Sequence, residues 1–294
     1  MMPSSTPGSR ESSRAYLLPL FLIFLSITTS VSILILTRLV LVLCRPNPGS
    51  LNVLRPSSSR THPTHLLIVL GSGGHTAEML SMLRRLPTLS IKFTYRTYLV
   101  SSGDGFSAWK AKEFELETTA RHPKCAPVRG LEQEPASPGQ SYDIVTVRRA
   151  RLVHQSLAST PWSAMLCLWD CISVLRRAHS HQRTDKLRHS SDARTPDYPD
   201  LILTNGPGTG VCVVLASLIL RFCGISGPSS SRSPSQWEHS GQMRTVFVES
   251  WARVRTLSLS GKILLPFVDR FLVQWPSLEG RGGGKAEFVG ALVA

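Results

Sequence analysis

Acidic residues are scarce in this 294-residue chain: 19 Asp+Glu stand against 33 Lys+Arg, leaving a formal net charge of +14. Such an excess suits nucleic acid, an anionic lipid surface or a diphosphate. No recognised nucleic-acid motif accompanies it and the aromatic residues do not interleave with the basic ones, so no nucleic-acid partner is expected. A lipid surface or a diphosphate substrate remains. Part of the excess, Arg121, Lys124, Arg129, Arg183, Lys186, Arg188 and Arg194, falls in segments of solvated composition. Cysteine pairing is missing too. Cys44, Cys125, Cys167, Cys171, Cys212 and Cys223 form no Cys-x-x-Cys and no zinc-like Cys/His spacing, so free thiols in a reducing compartment are expected. Cys167 and Cys171 lie one helical turn apart in an apolar stretch, where burial as small hydrophobes is the commoner state. No Asp-x-Asp triplet suggests a metal-held nucleotide; no metal ligand set and no cofactor are named, and metal dependence stays open.

Charge is absent from one long run. Tyr16 to Leu36 carries none, and beyond Arg38 the apolar character continues to Leu43. This is enough for a helix across a hydrocarbon core of roughly 30 Å. A cleaved signal peptide would have an apolar region of only about 7 to 15 residues and a small-residue cleavage site, and no good site is present. Pro19 is expected in the first turn, where proline is tolerated. Arg10 and Arg14 precede the segment while Arg38, Arg45, Arg55 and Arg60 follow it, so the remainder should face the cytosol. Val211 to Leu220, interrupted by Arg221, is too short to span and reads as a core helix.

The expected organisation is a tail (1–15), a transmembrane helix (16–43), a Pro/Ser-rich linker (44–64) and an α/β domain (65–294). Strands are expected at His65–Leu70, Tyr95–Val100, Tyr142–Val147, Asp200–Leu203, Val246–Val248 and Phe271–Val273. Helices are expected at Ala77–Leu86, Ala108–Phe114 and Thr160–Arg177, the last with Thr160 as N-cap and Pro161 following it, and an apolar helix follows Gly210. Segments near 118–141, 180–199 and 226–242, rich in Ser, Pro, Gly, Arg or His, read as loop insertions that bury little apolar surface. No internal repeat is present.

Between the first strand and its helix the chain reads Gly71-Ser72-Gly73-Gly74-His75-Thr76. Glycines there allow a tight turn and close approach to bare N–H groups at a helix N-terminus, a place that favours phosphate; a plain connecting turn is the alternative. Without Gly-Lys-Ser/Thr it is not a nucleoside-triphosphate P-loop. A dinucleotide fingerprint needs glycine where Thr76 stands and an acid roughly 20 positions on, where Ile91 to Thr94 lie. Glu78 falls in the first helical turn, where the helix dipole favours a carboxylate. A second glycine loop, Thr204-Asn205-Gly206-Pro207-Gly208-Thr209-Gly210, follows a later strand, and Glu249 and Gln274 close two others. In an open parallel sheet such loops gather at the carboxyl edge, where ligands bind.

These motifs in order, together with Val248-Glu249-Ser250, Leu257 to Lys262, the segment Arg149 to Ser156 and Gln274-Trp275-Pro276-Ser277-Leu278, closely resemble the membrane-anchored subunit of the two-chain UDP-N-acetylglucosamine transferase that makes dolichyl-diphosphate chitobiose. The resemblance implies one Rossmann-like half of a GT-B glycosyltransferase, carrying a single N-terminal transmembrane helix. It also implies an endoplasmic reticulum membrane location, a GlcNAc-diphosphodolichol acceptor held by this chain, and a soluble catalytic partner that binds UDP-GlcNAc in a heterodimer. The roughly 230 residues after the linker agree, since two complete Rossmann-like domains typically want more.

Within that frame His75 is a candidate general base or diphosphate-orienting group, with capping or packing as its alternative. Glu249 is a candidate base or sugar partner, with pairing to Arg253 as its alternative. Gly71, Ser72, Gly73, Gly74 and Thr76 are candidates for the diphosphate, aided by Arg149, Arg151 or Arg253, and Asn205, Gly206, Gly208 and Thr209 for shaping the cleft. The apolar end, Phe288 to Ala294, is a partner-docking element by family resemblance or an intramolecular strand. Three function classes stay open: a recruiting, acceptor-binding subunit, a self-sufficient glycosyltransferase, and a nucleotide-dependent oxidoreductase.

Overall fold

The computed structural model describes residues 9–43, 64–86, 89, 93, 95–121, 141–151, 155–156, 158–177, 198–225 and 243–293. The chain divides into two units, Met1–Arg45 and Pro46–Ala294. In the first, helix α1 runs Ser9–Leu43, starting within the expected tail and placing Pro19 inside the helix instead of in its first turn. A proline there removes one i→i−4 hydrogen bond, a loss the continuous apolar helix on its C-terminal side absorbs. Pro19–Leu43, 25 residues with mean hydropathy 2.3, is long and apolar enough to cross a membrane. Within it Thr29 donates to the Leu25 carbonyl at 2.9 Å and Ser32 to that of Thr28 at 2.7 Å, so these hydroxyls are satisfied by the helix itself.

The second unit is a seven-stranded sheet in which every neighbouring pair is parallel. Its strands are β1 (His65–Leu70), β2 (Tyr95–Ser101), β3 (Ser141–Val147), β4 (Leu201–Thr204), β5 (Arg244–Val248), β6 (Arg270–Val273) and β7 (Ala286–Phe288). The helices are α2 (Gly74–Arg84), α3 (Gly105–Arg121), α4 (Thr160–Arg177), α5 (Thr209–Phe222) and α6 (Leu259–Leu264), with a short 3-10 turn at Pro276–Leu278. Strand order β3-β2-β1-β4-β5-β6-β7 puts the topological switch between β1 and β4.

Strand β1 is apolar throughout because it is covered on both sides. Leu67 and Val69 enter a core with Cys167, Cys171 and Leu175 of α4 and Val213 and Ala216 of α5. Leu66, Ile68 and Leu70 point the other way, to Met79 and Leu83 of α2 and Phe114 of α3. Two buried ion-pair systems fix helices to strands. Arg96 Nε and Nη2 each donate to the Glu115 carboxylate at 2.6 Å, and Tyr98 donates to it at 2.6 Å, holding α3 on β2. Arg221 of α5 meets Asp269 at 3.0 Å, and Asp269 also accepts the Thr245 backbone N–H at 2.8 Å.

The first expected insertion is trimmed at both ends: Thr118 to Arg121 complete the last turn of α3 and Ser141 opens β3, with 122–140 outside the described residues. Of the second, 180–197 lie outside the described residues, as do 226–242 and the linker from 44 to 63. Cys167, Cys171, Cys212 and Cys223 are free thiols. Contact with Cys171 pushes the Cys167 thiol up to about 12, so it stays protonated and inert.

His65 is buried at the start of β1, its Nε2 at 2.8 Å from the Thr97 hydroxyl. Burial pushes the imidazole down to about 3 from its ordinary 6.5. The unfolded chain therefore binds a proton that the folded one refuses between those values, and His65 makes folding less favourable as pH falls through that window. His65→Gln, which cannot titrate, should lose less stability than the parent between about pH 6 and 4; denaturant midpoints in detergent at the two pH values measure it, and equal losses in both proteins would refute it.

Candidate functional site

The ends of β1 and β4 diverge at the switch, and the two glycine loops fill the gap by touching backbone to backbone. A Cβ on Gly206 would lie 3.1 Å from the Gly71 Cα, and one on Gly71 would meet His75 Cβ and lie 3.3 Å from the Gly206 Cα. Gly73 and Gly208, the residues before α2 and α5, have φ of 59° and 63°, the left-handed region that favours glycine. Gly73 and Gly74 face open space where a side chain would project. Helix α2 thus begins with bare amides: the first backbone closure there is Ala77 N–H to the Gly73 carbonyl at 3.3 Å, which leaves those of Gly74, His75 and Thr76 without intrahelical partners.

Beside them opens a cleft of about 730 Å3, lined by Gly74, His75, Glu78, Asn205, Trp251 and Arg253 among others. Its floor is organised by one carboxylate. Glu78 Oε1 accepts the Trp251 backbone N–H at 2.5 Å and the Gln274 amide at 2.9 Å. Its Oε2 accepts the Ser250 hydroxyl at 3.0 Å and the Asn205 amide at 3.5 Å, with His75 Nδ1 at 3.7 Å. Burial pushes the Glu78 carboxyl up, but the His75 ring and the donors from Trp251, Ser250 and Gln274 outweigh it and hold it below its usual range, so it stays ionised. Among the described residues His75 Nδ1 is buried without a hydrogen-bond partner, while the side chain as a whole is 31% exposed and lines the cleft.

The candidates divide by placement. Asn205 is buried and donates to the His75 carbonyl at 2.9 Å, tying the second glycine loop to the first. Arg253 lines the cleft with an exposed side chain. Thr76 is turned inward, its hydroxyl on the Gly71 carbonyl and 2.6 Å from Ser107, so only its backbone faces the loop. Thr209 is likewise turned inward, onto Ser101 at 2.8 Å. Ser72 and Gly73 are exposed on the loop, and Gly206 and Gly208 set its backbone. Arg149 and Arg151 stand outside the cleft lining, donating to the Ser102 carbonyl at 2.9 Å and the Gln155 carbonyl at 3.1 Å. Glu249 is 1% exposed; its Oε2 accepts the Ser258 N–H at 3.0 Å and its hydroxyl at 3.1 Å, and Oε1 accepts the Ser250 N–H at 3.2 Å. Its partners are therefore these loop groups instead of Arg253, and it holds the turn into α6 in place.

A family model for "Oligosaccharide biosynthesis protein Alg14 like" matches residues 66–292. The chain belongs to the Alg14 family. It is 46% identical over 238 residues to the UDP-N-acetylglucosamine transferase subunit alg14 of Aspergillus fumigatus, covering 73% of this chain and 100% of that one. The subunit of the same name from Schizosaccharomyces pombe is 35% identical, covering 81% of this chain and 88% of its own, and the human one 32%, covering 78% and 82%. Among solved structures, a UDP-N-acetylglucosamine 2-epimerase from Listeria monocytogenes is similar at a TM-score of 0.43 and 11% identity, over 76% of this chain and 44% of that one. This Alg14-family cleft contains residues that the sequence assigned less than they do. Glu78 had only a first-turn helix-dipole role, which the structure removes because α2 already begins at Gly74 and its first turn carries no acid; Gln274 and Trp251 had none. Their available signal was position: polar residues directly after the apolar strands β5 and β6, and an acid one turn beyond the loop histidine.

The C-terminal residues are part of this wall. Val289 N–H donates to the Val273 carbonyl at 3.1 Å and Leu292 N–H to Gln274 Oε1 at 3.0 Å, and Val293 lines the cleft. Among the described residues, the apolar end after β7 is thus an intramolecular element.

Removing the Glu78 carboxylate strands several buried donors at once. Glu78→Ala should destabilise the folded domain by about 2 to 4 kcal/mol, from unmade hydrogen bonds to a charged group. Denaturant unfolding in detergent reads this, and a midpoint indistinguishable from the parent would show that the carboxylate does not organise the cleft.

Proposed function

We propose that this Alg14-family chain is the membrane-anchoring and acceptor-binding subunit of a UDP-N-acetylglucosamine transferase, adding the second GlcNAc to GlcNAc-diphosphodolichol. The observation that carries the reading is the bare N-terminus of α2 opening at Gly74 and His75 onto the cleft beside the β1/β4 switch. Oriented amides with a helix dipole behind them suit a diphosphate, and the Arg253 guanidinium at the rim adds a charge-assisted donor. The charge-free segment within α1 holds the chain in the endoplasmic reticulum membrane, its α/β domain toward the cytosol. A soluble partner supplies the UDP-GlcNAc site, so that this domain is one half of a GT-B enzyme and has no turnover alone. The relatives, each named as a transferase subunit, support a divided enzyme.

In the assembled site the acceptor 4-hydroxyl attacks the anomeric carbon of UDP-GlcNAc. The new C–O bond forms as the bond to UDP breaks, UDP leaves with the electron pair, and the hydroxyl proton passes to His75. The Glu78 carboxylate beside Nδ1 stabilises the imidazolium so formed and leaves Nε2, on the far side of the ring, to accept the proton. Glu249, its oxygens already accepting from the Ser258 loop, shapes the wall and does not take the proton. Arg149 and Arg151 act outside the cleft, through the loop they brace.

His75→Ala should lower transfer from UDP-GlcNAc to a lipid-diphosphate GlcNAc acceptor by roughly 100-fold or more, the usual worth of a general base. Membrane insertion and co-purification of the cytosolic partner should persist. Unchanged turnover removes His75 from the mechanism, and turnover by the purified chain without any partner overturns the subunit reading itself.

A further inference from the structure

Helix α4 carries an outward face of the wrong polarity for a helix bathed in water. Its inner side, Cys167, Cys171 and Leu175, is buried in the sheet core. On the opposite side Trp162 is 68% exposed, Met165 62% and Trp169 68%. Arg176 follows, also exposed. At 100° per residue these four positions fall within an arc of about 60°. A surface helix ordinarily places charged and polar residues there. This one presents two tryptophans and a methionine, several hundred Å2 of apolar side chain by rough count, an amount that marks an interaction surface.

We propose that the outward face of α4 rests on an anionic bilayer surface, giving the α/β domain a membrane contact of its own in addition to α1. Tryptophan settles at the headgroup level, with an apolar ring for the acyl boundary and an N–H for the polar side. Arg176 at the end of the stripe has the reach to place its stem along the apolar region and its guanidinium among phosphates. No acidic residue lies in the arc: Asp170 falls about 80° outside it and pairs with Arg148 at 3.3 Å. The arc is therefore cationic and aromatic together, on a chain whose net charge of +14 is itself complementary to anionic lipid. Tryptophan and arginine together would also suit a protein surface, and the measurement below separates that occupant from lipid.

The full chain, reconstituted in nanodiscs of phosphatidylcholine and phosphatidylserine brominated at a shallow acyl position, tests this. Two of its six tryptophans lie on the stripe, so roughly a third of the emission should be quenched by the brominated lipid. Trp162→Gln/Trp169→Gln should lose most of that quenching while keeping the parent's circular dichroism, and Arg176→Glu should reduce it in anionic discs more than in zwitterionic ones. Retention of both variants in the disc fraction reports α1 anchoring separately. Equal quenching in the parent and the double tryptophan variant would overturn the proposal. So would stripe tryptophans indifferent to lipid but shielded from aqueous acrylamide once the cytosolic partner is added, which would make the face a protein-docking one.

Discussion

The arrangement depends on the Glu78 carboxylate. It is a buried charge in a helix whose own N-terminus is bare, and it gathers donors from three other segments: Asn205 after β4, Ser250 and Trp251 after β5, and Gln274 after β6. A buried anion is tolerated only when its lone pairs are occupied, so the three strand ends are held where a wet or apolar residue at position 78 would leave them free to diverge. Stability and site geometry are thus one requirement. The same donors that keep the carboxylate ionised tie together the segments that line the cleft, and the loop histidine stands beside Oε2 with its Nδ1 at 3.7 Å.

The second constraint is steric. Gly71 and Gly206 approach too closely for any side chain between them, and this contact lies at the point where the strand order reverses. Were either loop to carry a Cβ, the strand ends would separate and Asn205 could no longer reach the His75 carbonyl. The glycines therefore serve the backbone crossing at least as much as ligand access. Gly73 and Gly74, which face open space, are the ones whose bareness is directed outward.

Much of the sheet was legible in the chain. Strand β1 is an unbroken apolar run because both its faces are covered, and the shorter runs of β4, β5 and β6 were found within a residue or two, since each ends on a polar or glycine-bearing loop. Strand β7 escaped, three residues directly after a glycine-rich turn being too short a run to show a strand pattern; the other misses were matters of partnership. The sequence pairs Glu249 with Arg253 by helical spacing, but no helix forms there; the backbone turns, and the carboxylate meets Ser258 N–H from a loop nine residues on. Thr76 and Thr209 look like ligand groups from their loop positions, yet each opens a helix whose side chains at that point already face the core. Helix α3 extends past Phe114, where Glu115 has a buried partner in Arg96 of the preceding strand β2, a pairing no local pattern announces.

The end of the chain follows from the same network. Gln274 has an amide used on both sides: Nε2 donates to Glu78 and to the Glu249 carbonyl, and Oε1 accepts Leu292 N–H. Turning that amide over would set its NH2 against one N–H and its oxygen against a carboxylate, so its orientation is fixed from both sides. The backbone at Leu292 and the carboxylate at Glu78 are consequently two ends of one hydrogen-bonded unit. Displacing residues 291–293 uncovers the Gln274 acceptor, removes Val293 from the cleft wall, and loosens one of the donors that keep Glu78 in place. Events at the C-terminus and at the cleft are therefore energetically linked through a single side chain, and the linkage acts in both directions.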